Sequence, residues 1–146
     1  MTATARVVAS PQNAAVKRAR ALERDRPLRE RTYLAWGVHL ALEALACRAP
    51  LRQAFVGPRL EEARAGADLL RRLHAAGVPV VPVTTRVLDS IIEGCGDQGI
   101  LLLAVRPQSD LAAILGFPSS LVLAAHGVQD PGNLGSILRS ARALGA

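Results

Sequence analysis

Gly127-Val128-Gln129-Asp130-Pro131-Gly132-Asn133-Leu134-Gly135-Ser136-Ile137-Leu138-Arg139-Ser140-Ala141-Arg142-Ala143-Leu144-Gly145-Ala146 closes the chain. An apolar run, residues 121–125, leads into it, so the pattern predicts a strand, a glycine-rich turn and an amphipathic helix. Asp130-Pro131-Gly132-Asn133 fits a type II turn, with proline second and glycine third, and Asn133 could then cap the helix. Leu134, Ile137, Leu138, Ala141 and Leu144 recur at helical spacing, leaving Ser136, Arg139 and Arg142 on the other side. The spacing is neither GxGxxG nor a Walker loop, because no lysine followed by serine or threonine comes after Gly132. From the residues alone, an ordinary strand–turn–helix with a polar outer face would account for every glycine.

Working back from this segment, helices and strands alternate. Ser10 and Pro11 read as the N-cap and first position of a helix through about Arg24, with Lys17, Arg20 and Arg24 sharing one face. A charged connector, residues 25–31, is broken by Pro27. Residues 32–36 suit a short strand, and Gly37 opens a helix carrying Val38, Leu42 and Leu45. Residues 53–56 form a strand, and residues 60–76 one helix with Leu69, Leu70 and Leu73 inward and Gly77 as its stop. Residues 78–83 form a strand whose Pro79 and Pro82 place it at a sheet edge or strand end. Thr84 or Thr85 caps a short helix through Glu93, residues 94–99 form a loop, and residues 100–105 are a continuous apolar strand buried on both faces. This order predicts a three-layer α/β domain with a mainly parallel sheet over residues 1–106. A linker with one helical turn follows at 107–118, and then the segment 119–146.

With 146 residues, half of them hydrophobic, and a mean hydropathy of +0.23, the chain has material for one sizeable core and none of the marks of disorder. Of its +6 formal charge, +5 falls in residues 1–31, where eight basic residues face three acidic ones. Lys17, Arg18, Arg20, Arg24, Arg29 and Arg31 are the candidates for a polyanion-binding face, because guanidinium groups meet phosphate oxygens bidentately. The same cluster also suits a solvated surface on a chain in which Lys17 is the only lysine. Cys47 and Cys95 lack metal-ligand spacing and read as two buried reduced thiols, so no metal site is expected. The N-terminus shows no signal-peptide core and no run approaches a membrane span, which points to a cytoplasmic protein without membrane partners. His39 and His74 sit within helices and His126 precedes the glycine-rich turn; none belongs to a Ser/His/Asp or paired-carboxylate set.

The C-terminal stretch, 127–146, resembles the first signature motif of SpoU-type (TrmH-like) RNA 2′-O-ribose methyltransferases of the SPOUT superfamily. Upstream, Ser10-Pro11-Gln12-Asn13-Ala14-Ala15-Val16-Lys17, Gly37-Val38-His39-Leu40 and Asp97-Gln98-Gly99-Ile100 are similar to the substrate-binding domain that precedes the catalytic domain in that family. The family often has a glutamate before the glycine of the second stretch, where this chain has Trp36. The resemblance implies a ribosomal-protein-like, kink-turn-binder type of RNA-binding fold, followed by the first strand and helix of a knotted methyltransferase domain. It implies that Asn133 and Arg139 are catalytic, with the ribose 2′-hydroxyl attacking the methyl group of S-adenosylmethionine. An arginine stays protonated, so holding a phosphate and stabilising the developing alkoxide suits Arg139 better than taking a proton.

The family's later motifs, which build the knotted cofactor pocket and the homodimer interface, have no counterpart up to Ala146, so no cofactor-binding residue is expected within this chain. Residues 119–146 are too few to fold alone; they must dock, pair with another chain or lie exposed. The resemblance therefore implies the N-terminal portion of an S-adenosylmethionine-dependent methyltransferase, inactive by itself, with RNA as partner and ribosomal RNA favoured over transfer RNA. A freestanding RNA-binding module, or an interaction protein whose C-terminal helix docks on a partner, are the other readings the sequence allows.

Overall fold

Strand β4 (Ile100–Val105) runs between β1 (Thr32–Trp36) and β2 (Leu51–Val56), antiparallel to both, and β3 (Val80–Pro82) pairs parallel with β2 at the far edge. The structure, a computed structural model, describes residues 7–22, 31–108, 110–116 and 121–146, without the side chains of 96, 97, 113 and 114. Residues 23–30, which hold Arg24, Arg29 and most of the charged connector expected at 25–31, lie outside the described residues. The chain divides into two compact units, residues 1–107 and 108–146.

The expectation of a mainly parallel sheet is overturned. Strands β1, β2 and β3 do run the same way, as alternating helices require, but β1 and β2 are not neighbours. Strand β4 fills the gap between them in the opposite sense. Its unbroken apolar run reported burial on both faces, and a central strand is buried on both faces whichever way it runs.

Helices cover both faces of this sheet. On one, α1 (Ala14–Ala21) and α5 (Thr85–Ile91) close Val16, Ala19, Val87, Leu88 and Ile91 over Phe55 and Leu101. On the other, α2 (Val38–Ala46), α3 (Arg59–Glu62) and α4 (Gly66–Ala75) close Ala41, Leu60, Leu69 and Leu73 over Ala54, Ile100 and Leu102. The alternation along β4 thus feeds two cores: Leu101 enters the first, Ile100 and Leu102 the second. Register aligns Trp36, Leu101, Phe55 and Val81 in one row across the four strands.

Several local expectations are met and others are corrected. Strand β1 spans the expected residues, and Gly37, at φ 97°, opens α2. Thr84 caps α5 by accepting from the Val87 N–H at 3.3 Å. Strand β3 is an edge strand, and Val8 extends that edge by donating its N–H to the Pro82 carbonyl at 2.8 Å. Helix α1, however, starts at Ala14 rather than at Pro11. Asn13 accepts from the Ala15 N–H at 2.9 Å, whereas the Ser10 hydroxyl is used locally by the Gln12 N–H. Of two successive cap signals, the one adjoining the helix prevails.

The single helix expected at 60–76 is two. Ala63 is extended, and α4 begins at Gly66, which packs directly on α3. A Cβ at Gly66 would lie 1.7 Å from the Leu60 carbonyl oxygen. The local bonds Ala63 N–H to Leu60 carbonyl and Gly66 N–H to Ala63 carbonyl close the turn between the two helices. Cys95 is buried as expected, but Cys47 is exposed at the C-cap of α2. Helical spacing had placed it no better than its neighbours, and the helix ends before it can turn inward.

The strand expected at 121–125 is absent. Residues 121–126 are exposed and hydrogen-bond to no strand, and among the described residues of 108–146 there is no strand to pair with. A strand exists only by pairing, so apolar composition alone cannot make one. Helix α6 (Leu111–Leu115), capped by Asp110, supplies the helical turn expected in the 107–118 stretch.

Two expectations follow. Gly66→Ala should cost about 3 kcal/mol or more, because backbone must move. Gly77→Ala should cost only about 1 kcal/mol, since its φ of 69° is strained for alanine but nothing lies within 4 Å. Urea unfolding of both variants checks this, and equal losses would contradict it. In the second experiment, a thiol reagent should modify Cys47 alone in the native chain and both cysteines after unfolding. Burial, then the Asp89 charge, push the Cys95 thiol from 9.0 up to about 11. Because the folded state holds that proton more tightly, stability should fall as pH rises from about 9 through about 11, and Cys95→Ala should flatten that decline.

Candidate functional site

Helix α7 (Pro131–Ala143) carries the C-terminal motif. Its start corrects two expectations. Asp130, not Asn133, is the N-cap: its Oδ1 accepts from the Asn133 N–H at 2.7 Å, and Pro131 is the first helical residue. The type II turn is therefore replaced by a helical first turn, closed by the Leu134 N–H donating to the Asp130 carbonyl at 3.1 Å. Proline's fixed φ serves the second position of a turn and the first of a helix equally, and an aspartate before it tips the balance.

Asn133 is thereby left in the first turn with its side chain exposed. Arg139 lies back along the helix toward that end. Its Nη2 donates to the Ser136 hydroxyl at 3.1 Å, and Ser136 in turn donates to the Gly132 carbonyl at 3.0 Å. The guanidinium rests over Gly135, whose absent side chain makes the room: a Cβ there would stand 3.3 Å from Nη1. This relay of Gly135, Ser136 and Arg139 was not foreseen from the sequence, where Gly135 had no role beyond the turn. A small residue followed by serine and, four positions on, an arginine is the signal that could have found it. Arg142, one turn further, has no such partner among the described contacts.

The apolar side of α7 is half covered at best. Leu134, Ile137 and Ala141 are partly buried, while Leu138 and Leu144 are exposed, and none of the described helix residues is fully buried. Such an open surface does not fit S-adenosylmethionine, which needs a concave, largely enclosing pocket. No step can be derived through that cofactor from these residues.

In the first unit, Lys17, Arg18 and Arg20 are exposed on α1, around its buried Val16 and Ala19. Successive 100° steps put Lys17 on the outer side, whereas Arg20 flanks the buried Val16 and Arg18 flanks Leu22, which is one turn on. Arg31 is exposed beside β1, and its carbonyl accepts from the Arg106 N–H at 2.8 Å. Two of the family-like stretches meet here. Gly37 donates its N–H to the Ile100 carbonyl at 3.1 Å, and a Cβ on it would lie 3.2 Å from Gln98 Oε1. Gly99, at φ 70°, sits against the Leu60 backbone and accepts from the Gly57 N–H at 2.9 Å.

Among the described residues none that is polar or charged is buried, and no three His, Cys, Asp or Glu side chains cluster as metal ligands. His39 pairs with Glu43 on the α2 surface at 3.6 Å, and His74 and His126 are exposed. On the surface of the first unit, exposed basic residues are grouped on α1 and beside β1.

Residues 34–109 match the family model described as RNA 2′-O ribose methyltransferase substrate binding (SpoU), and the chain belongs to that family. An uncharacterized tRNA/rRNA methyltransferase of Mycobacterium ulcerans is 33% identical over 143 residues, covering 92% of this chain and 46% of the relative. One from Mycobacterium tuberculosis is 32% identical over 142 residues, covering 92% and 44%. Among solved structures, an AdoMet-bound rRNA methyltransferase from Sinorhizobium meliloti superposes with a TM-score of 0.64 at 26% identity, covering 99% of this chain and 53% of that one. An RNA 2′-O ribose methyltransferase does so with 0.64 at 29%, covering 97% and 53%. The chain thus spans about half the length of the relatives it matches.

The exposure of Arg139 sets an expectation. Arg139→Ala and Arg142→Ala should each leave the unfolding free energy within about half a kcal/mol of the parent, as exposed side chains do. A loss above about 1 kcal/mol for Arg139→Ala alone would show that its contact with Ser136 holds the helix.

Proposed function

We propose that this chain is the RNA-engaging part of an S-adenosylmethionine-dependent RNA 2′-O-ribose methyltransferase that acts on ribosomal RNA. The observation that carries the reading is the match of residues 34–109 to the family's substrate-binding model, on a fold whose grouped arginines face outward. The rRNA methyltransferase superposed above supports the ribosomal target; the tRNA/rRNA names of the mycobacterial relatives leave transfer RNA as the other candidate. In this reading residues 1–106 engage RNA through Lys17, Arg18, Arg20, Arg24, Arg29 and Arg31. Residues 119–146 contribute Asn133 and Arg139 to catalysis in a cytoplasmic homodimer.

The chemistry falls to Arg139 as an electrostatic group. S-adenosylmethionine supplies the methyl group when bound, outside the residues described. In this reading the guanidinium, which Ser136 steers toward the start of α7, holds a phosphate and stabilises a developing 2′-alkoxide, with Asn133 at the same end as a hydrogen-bonding partner. A second reading, an RNA-binding module without chemistry, is favoured by the enclosed cores of the first unit beside the open surface of α7.

RNA binding and cofactor binding separate the two parts. Substituting Lys17, Arg18 and Arg20 together with alanine should weaken RNA binding across sequences, and should lower the slope of log affinity against log salt by about 2. An unchanged affinity and slope would reduce these residues to a solvated face. Calorimetric titration of this chain with S-adenosylmethionine should show no saturable heat, and micromolar binding would place a donor site where this reading has none.

A further inference from the structure

Strand β1, at the edge of the sheet among the described residues, borders a cleft of about 450 Å³ lined by Leu22, Thr32, Leu34, Trp36, Ile92 and Arg106, with Tyr33 beside them. Within the RNA-binding reading above, on which this inference rests, we propose that the cleft holds one unstacked RNA nucleotide, its base lying on the Trp36 indole and its phosphate met by Arg106.

The chain's one tryptophan is placed as a platform rather than as core. Trp36 is 42% exposed, although it ends the cross-strand row that continues through buried Leu101 and Phe55. Its ring is backed by Leu101 across the ladder, and cross-strand pairing of this kind fixes ring orientation. An aromatic face exposed but backed in this way suits a base, which has a π-face whatever its identity.

The walls fit the rest of a nucleotide. Leu22, Leu34 and Ile92 give the cleft an apolar floor, and its volume lies in the range of small-ligand sites. Positive charge stands at the rim. Arg106 lines the cleft, Arg31 is tied to it through the backbone, and Arg18 flanks Leu22 on α1. No ion pair engages Arg18, Arg31 or Arg106 among the described contacts. A purely peptide-binding edge would need no such charge. Trp36 also stands one residue before Gly37, where the Gln98 and Gly99 stretch converges, so the cleft continues the region covered by the family's substrate-binding match.

Because Trp36 is the only tryptophan, its fluorescence reads the site directly. The whole chain is titrated with an RNA hairpin carrying an unpaired adenine-rich loop, and separately with a fully paired RNA duplex. The hairpin should quench Trp36 saturably and the duplex should not. By anisotropy of labelled hairpin, Trp36→Ala should weaken binding roughly tenfold with an unchanged salt slope, and Trp36→Phe should recover most of the loss. Arg106→Ala should instead lower the slope. Hairpin binding without quenching, or with equal affinity for Trp36→Ala, overturns the nucleotide cleft while leaving the RNA reading intact. Failure of either RNA to bind overturns both. Trp36-dependent self-association without quenching by RNA would assign the edge to a second copy and also overturn the proposal.

Discussion

Everything in the first unit depends on β4 lying between two strands that run against it. Burying Ile100, Leu101 and Leu102 removes them from water on both sides of the sheet, at about 2 kcal/mol for each leucine or isoleucine. The two cores are therefore one cooperative system: Leu101 belongs to the core beneath α1 and α5, and its neighbours on either side to the core beneath α2, α3 and α4. Strand β4 is also the last strand to emerge in sequence. The split pair β1 and β2 can gain its hydrogen bonds only when residues 100–105 arrive from far along the chain, which makes the contact order high.

That insertion also makes the functional surface. Joining β1 and β2 through β4 pushes β1 to the sheet edge, with Trp36 beside Leu101 at one end of the antiparallel ladder and Arg106 bonded to Arg31 through the backbone at the other. It brings Gly37, at the close of β1, against Gln98, just before β4 begins. Two short stretches sixty residues apart in the chain become one corner of the molecule, and the glycines at 37 and 99 allow the backbones to meet there. The charged helix α1 reaches the same side because its buried Val16 and Ala19 lie over Leu101 and Phe55.

Much of this was legible in the sequence, for reasons that also explain what was not. Periodicity reports burial, so β1, β4, the edge position of β3 and the capped α5 could be read from residues such as Pro79, Pro82 and Thr84. Burial carries no direction, so β4's antiparallel sense was invisible. The turn before Gly66 is masked by alanines that suit a helix on either side of it, and the strand expected at 121–125 has no partner among the described residues of 108–146, which composition alone does not reveal. In the C-terminal motif, Asn133 and Arg139 were named through family resemblance, whereas the hydrogen bonds that set Arg139 over Gly135 needed coordinates. The basic residues were visible as a count; that Arg18 flanks Leu22 and Arg20 flanks Val16 while Lys17 lies opposite both needed the helix phase.

The unpaired segment at 121–126 has a consequence for how the molecule behaves in a crowd. Leu121, Val122 and Leu123 are 59%, 47% and 48% exposed, and their amides and carbonyls have no ladder to join. A short, uncharged, apolar stretch outside any ladder is a template for any similar stretch, and the nearest supply is the same residues on another molecule. Solutions of this chain should therefore be governed by concentration: dilute samples dominated by the folded first unit, dense ones by strand exchange at this one segment, with a charged residue at Val122 acting as the gatekeeper the sequence lacks.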